Sequence, residues 1–364
     1  MRPAAQALIA AAALAVLASP ILAQQRRGEE RLPASCRQEV VRLCGINRGQ
    51  IAACLREKYA ELSEGCQAEL RQRIEARGGR EGARRGGAAM ASSPALAPQQ
   101  TLAYGSDPLQ ALDLWVPEGR PAPLVLFVHG GGWSRGSKSN AVGRVLPGHL
   151  LAQGYAFASI DYRLVPAARV EDQAADVAAA LAHLLARADA LGIDRTRVVL
   201  TGHSAGAHLV ALVGTDETYL RAAGLSLADI DGVMPNDGAA YDVAQQLALA
   251  GPQMRGTYEQ AFGSDPARHK ALSPIAHAAA PNAPAFLLLH VQRPDAAAQS
   301  KALAEALRKA GAEAEVSGFP GEGLRGHMEI NRNLGQPDYP ATPVMDAWLK
   351  KVLGGQAKFT KLTL

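Results

Sequence analysis

Thr201-Gly202-His203-Ser204-Ala205-Gly206 sets a serine between two glycines, each two residues away. A serine hydroxyl is a weak nucleophile unless a tight turn projects it and a neighbouring base takes its proton. An apolar run at 198–201 precedes Ser204 and an alanine-rich stretch follows it. The expected context is therefore strand, turn and helix, with the positive end of the helix aimed at the hydroxyl. A second motif, His129-Gly130-Gly131-Gly132-Trp133, ends the apolar run 124–128. A glycine run lets backbone N–H groups turn inward, so Gly131 and Gly132 can join the N–H of Ala205 as donors to a developing oxyanion. Alone, such a loop could cradle a phosphate, but neither Gly-x-Gly-x-x-Gly nor Gly-Lys-Ser/Thr is present. Together the motifs point to acyl transfer through a tetrahedral intermediate. That chemistry requires no cofactor, and no metal-ligand spacing occurs, so none of either is expected.

These groups must be held by regular elements. Residues 112–116 alternate like an outer strand, and 124–128 form the continuous apolar run of a buried parallel strand. Segments 155–160, 198–201 and 285–291 read similarly, and 314–319 is strand-like. Helical stretches lie between them at 170–191, 205–213 and 296–310, with a last one at 344–352. Alternation over residues 101–356 implies an α/β domain: a doubly wound, mostly parallel sheet covered on both faces.

Asp161-Tyr162-Arg163-Leu164 lies beyond the glycine loop. With the elbow and the His-Gly-Gly-Gly run, it makes this domain resemble the α/β-hydrolase superfamily. More narrowly, it is similar to the His-Gly-Gly-Gly esterases related to hormone-sensitive lipase and to small acetyl and aryl esterases. Asp161 and Arg163 read as structural groups that fix the glycine loop. The resemblance implies the order nucleophile, acid, base. Of nine histidines, His203 and His208 adjoin the nucleophile, His129 belongs to the glycine loop, and His290 ends a strand. His149 and His183 fall on helices, while His269 and His277 precede the implied acid. His327, in the glycine-rich loop 321–326 and just beyond, is left as the base. The implied acid is Asp295, after the strand at 286–291, with Glu322 and Asp265 as rivals. The family's loop there reads His-Gly-x-x-Asp, whereas this chain has His290-Val291-Gln292-Arg293-Pro294-Asp295. Trp133, Asp237 and Tyr241 are expected to border the pocket, at the C-terminal ends of strands.

The N-terminal third is different in kind. Residues 1–23 read as a signal peptide: Arg2, an apolar run at 7–17, the helix breaker Pro20, and Ala23 before the cleavage point. All four cysteines lie between Cys36 and Cys66. An even cluster behind an export signal reads as two disulfides. Within 34–75, two helices around a turn at 45–47 suggest Cys36–Cys66 and Cys44–Cys54, one of three possible pairings. This spacing weakly resembles cysteine-rich repeats of secreted and Golgi-lumen proteins. Residues 76–100 are rich in Gly, Arg, Ala, Ser and Pro without apolar period, as in a flexible linker. The net charge of +4 is concentrated between Arg26 and Arg85, so the α/β domain is nearly neutral and nucleic acid is not an expected partner.

The expectation is a secreted or periplasmic serine hydrolase of short-chain or aryl esters. Its expected partner is a small ester substrate, with no stable membrane insertion after signal cleavage. Amide hydrolysis by the same trio, and an extracellular binding protein with an inert hydrolase body, are the alternatives.

Overall fold

The computed structural model describes residues 33–44, 58, 61–69, 96–139 and 145–354. The chain forms two compact units, residues 1–93 and 94–364. The expected signal peptide lies outside the described residues, as do Cys54, the side chain of Cys44 and most of the linker.

In the first unit, helix α1 (Ala34–Cys44) carries Cys36 and Val40 on its buried side. Cys36 is bonded to Cys66, with their Cα atoms 5.1 Å apart, and Leu62 completes the small apolar cluster. Among the described residues this cluster holds four buried side chains, two of them the bonded cysteines, so the crosslink is a large part of what joins them. Glu39 accepts from both the N–H (3.0 Å) and the hydroxyl (2.8 Å) of Ser63, tying the two sides a second time.

The described residues of the second unit form a sheet of eight strands. They are β1 (Gln100–Ala103), β2 (Ala111–Trp115), β3 (Ala122–Val128), β4 (Ala156–Ile160), β5 (Ile193–His203), β6 (Gly232–Asn236), β7 (Ala285–Gln292) and β8 (Glu313–Glu322). Their order in the sheet is β1-β2-β4-β3-β5-β6-β7-β8. β1 and β2 join antiparallel, and β3 to β8 run parallel. Parallel pairing requires crossover segments. The helices that matter here are α2 (Leu146–Ala152), α3 (Val170–Ala186), α4 (Ala205–Thr215), α5 (Val243–Leu249), α6 (Pro252–Phe262), α7 (Pro294–Lys309), α8 (Gly323–Asn333) and α9 (Ala341–Leu353).

β3 shows why the sheet sits between two layers. Its residues from Ala122 to Val128 are all buried, and alternate side chains enter different cores. Leu124, Leu126 and Val128 join the apolar stripes of α3 and α4. Val125 and Phe127 join Leu146, Leu150, Trp348 and Leu349 from α2 and α9. A strand apolar at every position is the pattern that two covered faces demand.

Most elements fall where the sequence puts them. β6 does not: its sequence, Gly-Val-Met-Pro-Asn, carries a glycine and a proline, which weaken a strand reading. It nevertheless runs between β5 and β7, with Pro235 opposite Gly202. The glycine-rich stretch at 321–326 is not a loop throughout, since β8 continues to Glu322 and α8 begins at Gly323.

Candidate active site

Ser204 stands between the end of β5 and the start of α4, with φ 58° and ψ −117°. That backbone region is strained for any residue with a Cβ, and it persists because the surroundings fix it. The Ser204 N–H donates to the Asn236 carbonyl at the tip of β6 (3.1 Å), and the Ser204 carbonyl accepts from His208 in α4 (3.2 Å). The flanking glycines are steric requirements. A Cβ on Gly206 would fall on the Val128 carbonyl oxygen, and one on Gly202 would crowd the Gly206 carbonyl. A Cβ on Gly130 would come within 2.9 Å of Ser204 Cβ, so the glycine loop lies directly against the serine.

Gly131 (φ 130°), Gly132 (φ 60°) and Trp133 (φ 58°) form a succession of left-handed residues. Such a backbone turns N–H groups to one side, the form an anion-binding concavity takes. Gly131 and Gly132 continue the loop from Gly130, and Ala205 follows Ser204 as the first residue of α4. The loop is braced from below. The Trp133 carbonyl accepts from Val165 N–H (3.0 Å) and Gln173 Nε2 (2.8 Å). Tyr162 stacks on His129 and donates its hydroxyl to the His129 carbonyl at 2.9 Å. Asp161 accepts from Lys138 N–H at 2.6 Å, and Arg163 grips Asp176 through both Nε and Nη2. Asp161 thus lies against His129 of the loop, 3.8 Å from its Nε2, whereas Arg163 ties its own segment to α3.

Two of the three expected pocket residues are elsewhere. Trp133 is buried among His208, Tyr258 and Phe262, with Nε1 donating to His208 Nδ1 at 3.3 Å. Its size and apolar surface make it a floor for the loop. Tyr241 is fully buried beneath Gly238.

The third, Asp237, is the partner of His327. His327 lies in the second turn of α8, and its Nδ1 is 2.6 Å from Asp237 Oδ2. A carboxylate only accepts, so Nδ1 carries the proton and Nε2 keeps its lone pair. Asp237 follows β6 directly with φ 46°. Its N–H donates to the Leu289 carbonyl (2.8 Å), and its Oδ1 accepts from Val291 N–H (3.0 Å). Burial alone would raise this carboxyl. The hydrogen bond from His327, the Arg293 guanidinium and the Val291 N–H outweigh burial and hold it down at about 2. On its other side the imidazole meets the elbow's own histidine. His203 packs its ring 4.3 Å from that of His327, and its Nε2 is 2.9 Å from the His327 carbonyl. Burial, then the nearby His327, lowers His203 to about 3, so it is neutral.

Asp295 does not meet His327. It lies in the first turn of α7, accepting from Arg293 Nη2 (3.0 Å) and Gln246 Nε2 (3.3 Å). The reason is local. Four residues after His290, where the family loop carries Asp, this chain has Pro294, and Pro294 starts α7 at once. Asp295 is therefore wound onto the helix, while Arg293 fills the space beside the imidazole. The order serine, acid, histidine is kept with Asp237. Its signal in the sequence was position alone, immediately after a strand that Pro235 disguised. Glu322 is the exposed last residue of β8, and Asp265 caps a surface helix through Ala267 N–H. The structure brings neither to His327.

The family model BD-FAE matches residues 112–307, more than half of the chain. The chain belongs to the BD-FAE family. This BD-FAE protein is 43% identical over 115 residues to esterase LipC of Mycobacterium tuberculosis, covering 30% of this chain and 28% of LipC. It is 26% identical over 239 residues to isoprenylcysteine alpha-carbonyl methylesterase ICME of Arabidopsis thaliana, covering 62% of this chain and 56% of ICME. The chain thus spans 28% and 56% of the length of these two curated relatives. A truncated carbohydrate esterase from gut microbiota superposes with TM-score 0.59 at 24% identity, over 74% of this chain and all of that one. Esterase B from Lactobacillus rhamnosis superposes with TM-score 0.58 at 23% identity, over 79% and 93%. Likeness at that distance fixes the α/β-hydrolase fold, and chemistry has to be argued from the site.

Proposed function

We propose that this protein hydrolyses carboxylic esters through an acyl-enzyme on Ser204. The observation that carries the reading is the pairing of Asp237 with His327, whose ring packs on His203, the neighbour of a serine held at positive φ against a glycine loop. Ser204 Oγ attacks the ester carbonyl while His327 Nε2 takes its proton. Asp237 stabilises the imidazolium, and the N–H groups of Gly131, Gly132 and Ala205 hold the oxyanion, a donor of this kind being worth about 3–4 kcal/mol. His327 then protonates the leaving alcohol, and water returned through the same base releases the acid. The esterase names of the relatives support this reading over amide hydrolysis.

The substrate side favours a small acyl group. α6 stands over the glycine loop, and a Cβ on Gly132 would come within 2.7 Å of the Thr257 methyl. A short-chain or aryl ester fits this closeness to the oxyanion donors. The working place is outside the cytoplasm: a disulfide in a small unit fits an oxidising compartment, as does the signal-like segment 1–23.

Turnover of p-nitrophenyl acetate, set beside an arylformamide, tests the chemistry. The ester should be cleaved faster, Ser204→Ala should abolish turnover, and an organophosphonate should label Ser204. Faster cleavage of the arylformamide, or turnover that survives Ser204→Ala, overturns the proposal.

A further inference from the structure

Arg293 precedes α7, yet its guanidinium turns inward, leaving 16% of the side chain exposed. Nη1 donates to Asp237 Oδ2 at 2.8 Å and reaches the Asp237 carbonyl at 3.4 Å. Nη2 donates to Asp295 Oδ2 at 3.0 Å. The same Nη1 stands 2.8 Å from His327 Nδ1. With Nδ1 donating to Asp237 it has no lone pair left to accept from Nη1, so the contact sets a cation against the base. A lone cation there would oppose the reaction, because His327 must become imidazolium in the transition state. Asp295 offsets it. Two carboxylates and one guanidinium leave one net negative charge beside the imidazole, the same as a solitary acid.

We propose that Arg293 is a positioning residue that clamps Asp237 onto His327, and that Asp295 is its counter-charge. This rests on the ester-hydrolase reading above. The clamp has a geometric cause. Asp237 Oδ2 accepts from His327 and Arg293 together, so the carboxylate keeps its orientation when the imidazole shifts toward the leaving group. Asp295 is in turn latched by Gln246, which also donates to Tyr258 (3.1 Å) and accepts from Gln299 (2.6 Å). The arrangement reaches from the base into the helices covering the site.

Among the described residues, few charged or titratable groups lie near the imidazole. His203 from β5 is neutral, and Asp237, Arg293 and Asp295 form the set just described. On α8, Arg325 and Glu329 pair with each other at 2.7 Å. Tyr339, between α8 and α9, is pushed up to about 12 by burial, Glu329 and Asp237, and stays neutral.

The test is the pH profile of kcat and KM on p-nitrophenyl acetate for the full chain and for Arg293→Met, Arg293→Lys and Asp295→Asn. Arg293→Met removes the cation, so its acid limb should move to higher pH. Asp295→Asn leaves Arg293 uncompensated, so its acid limb should move to lower pH. With the clamp lost, Arg293→Met should lower kcat by about tenfold, the equivalent of one hydrogen bond, with KM nearly unchanged. Arg293→Lys restores the charge but not the two-pronged fork, and should recover the limb position without the full kcat. Limbs that stay at the wild-type position, or that move in the same direction, overturn the proposal. Asp295→Asn changes little volume, so it decides the matter even if Arg293→Met fails to fold. An inactive wild type, or full activity in Ser204→Ala, would instead overturn the ester-hydrolase reading.

Discussion

Replacing Asp237 by Asn separates this site from the one the family loop implies. The carboxylate is fully buried, with Oδ2 serving His327 and Arg293 and Oδ1 serving Val291 N–H. An amide has one oxygen where three donors need two. If its oxygen faces His327 and Arg293, its NH2 meets the Val291 N–H. If it turns, the NH2 confronts Nδ1 and forces the imidazole into the tautomer with its proton on Nε2. That tautomer cannot take the serine proton. The expected loss in kcat is about 10⁴-fold, or ~5.5 kcal/mol, the size a wrong-tautomer imidazole produces in a serine triad. Asp295→Asn removes only the counter-charge of Arg293, and should cost no more than about tenfold at the pH optimum, near 1.4 kcal/mol. The assay is steady-state hydrolysis of p-nitrophenyl acetate by both variants, with circular dichroism to confirm folding. The assignment would be refuted if Asp295→Asn lost the four orders of magnitude and Asp237→Asn lost about ten.

Acid should weaken the second unit before it protonates any catalytic carboxylate. His208 is fully buried and lowered by burial to about 4, with Nδ1 accepting from Trp133 and Nε2 donating to the Leu272 carbonyl. Its folded pKa lies below the unfolded value of 6.5, so its contribution is complete above pH 6.5 and is lost as pH falls toward 4. Between pH 7 and pH 4.5 that amounts to about 2 kcal/mol, to be read from urea unfolding, and His208→Gln should shrink the difference to what the likewise lowered His203 contributes. Gly206→Ala places a methyl on the Val128 carbonyl and should cost at least about 3 kcal/mol or prevent folding, as thermal melting would show. Breaking Cys36–Cys66 with Cys36→Ser and Cys66→Ser removes a crosslink across 30 residues, worth about 3.7 kcal/mol in loop entropy. Proteolysis should then cut the first unit while turnover by the second persists.

Residues whose constraint is steric and local were the most legible. Ser204, its glycines and the loop at Gly131–Gly132 announce themselves because no other side chain fits those backbones, and strands such as β3 announce themselves by burial on both faces. His327 followed from order along the chain, although it rides on a helix and not in a loop. The acid was hidden by tertiary geometry. A carboxylate can approach a histidine from any neighbouring strand end, and β6 and β7 both end within reach of α8. Which of them supplies the acid depends on how soon the next helix starts. Pro294 starts α7 so early that Asp295 is carried away and Arg293 takes the place beside the imidazole. Asp237, held at φ 46° by the Leu289 carbonyl and the Val291 N–H, is then the carboxylate that can reach. The departure from the His-Gly-x-x-Asp pattern was therefore informative. It goes with a carboxylate that meets His327 from the end of β6, one strand inward, and with Arg293, paired to Asp295, beside the imidazole.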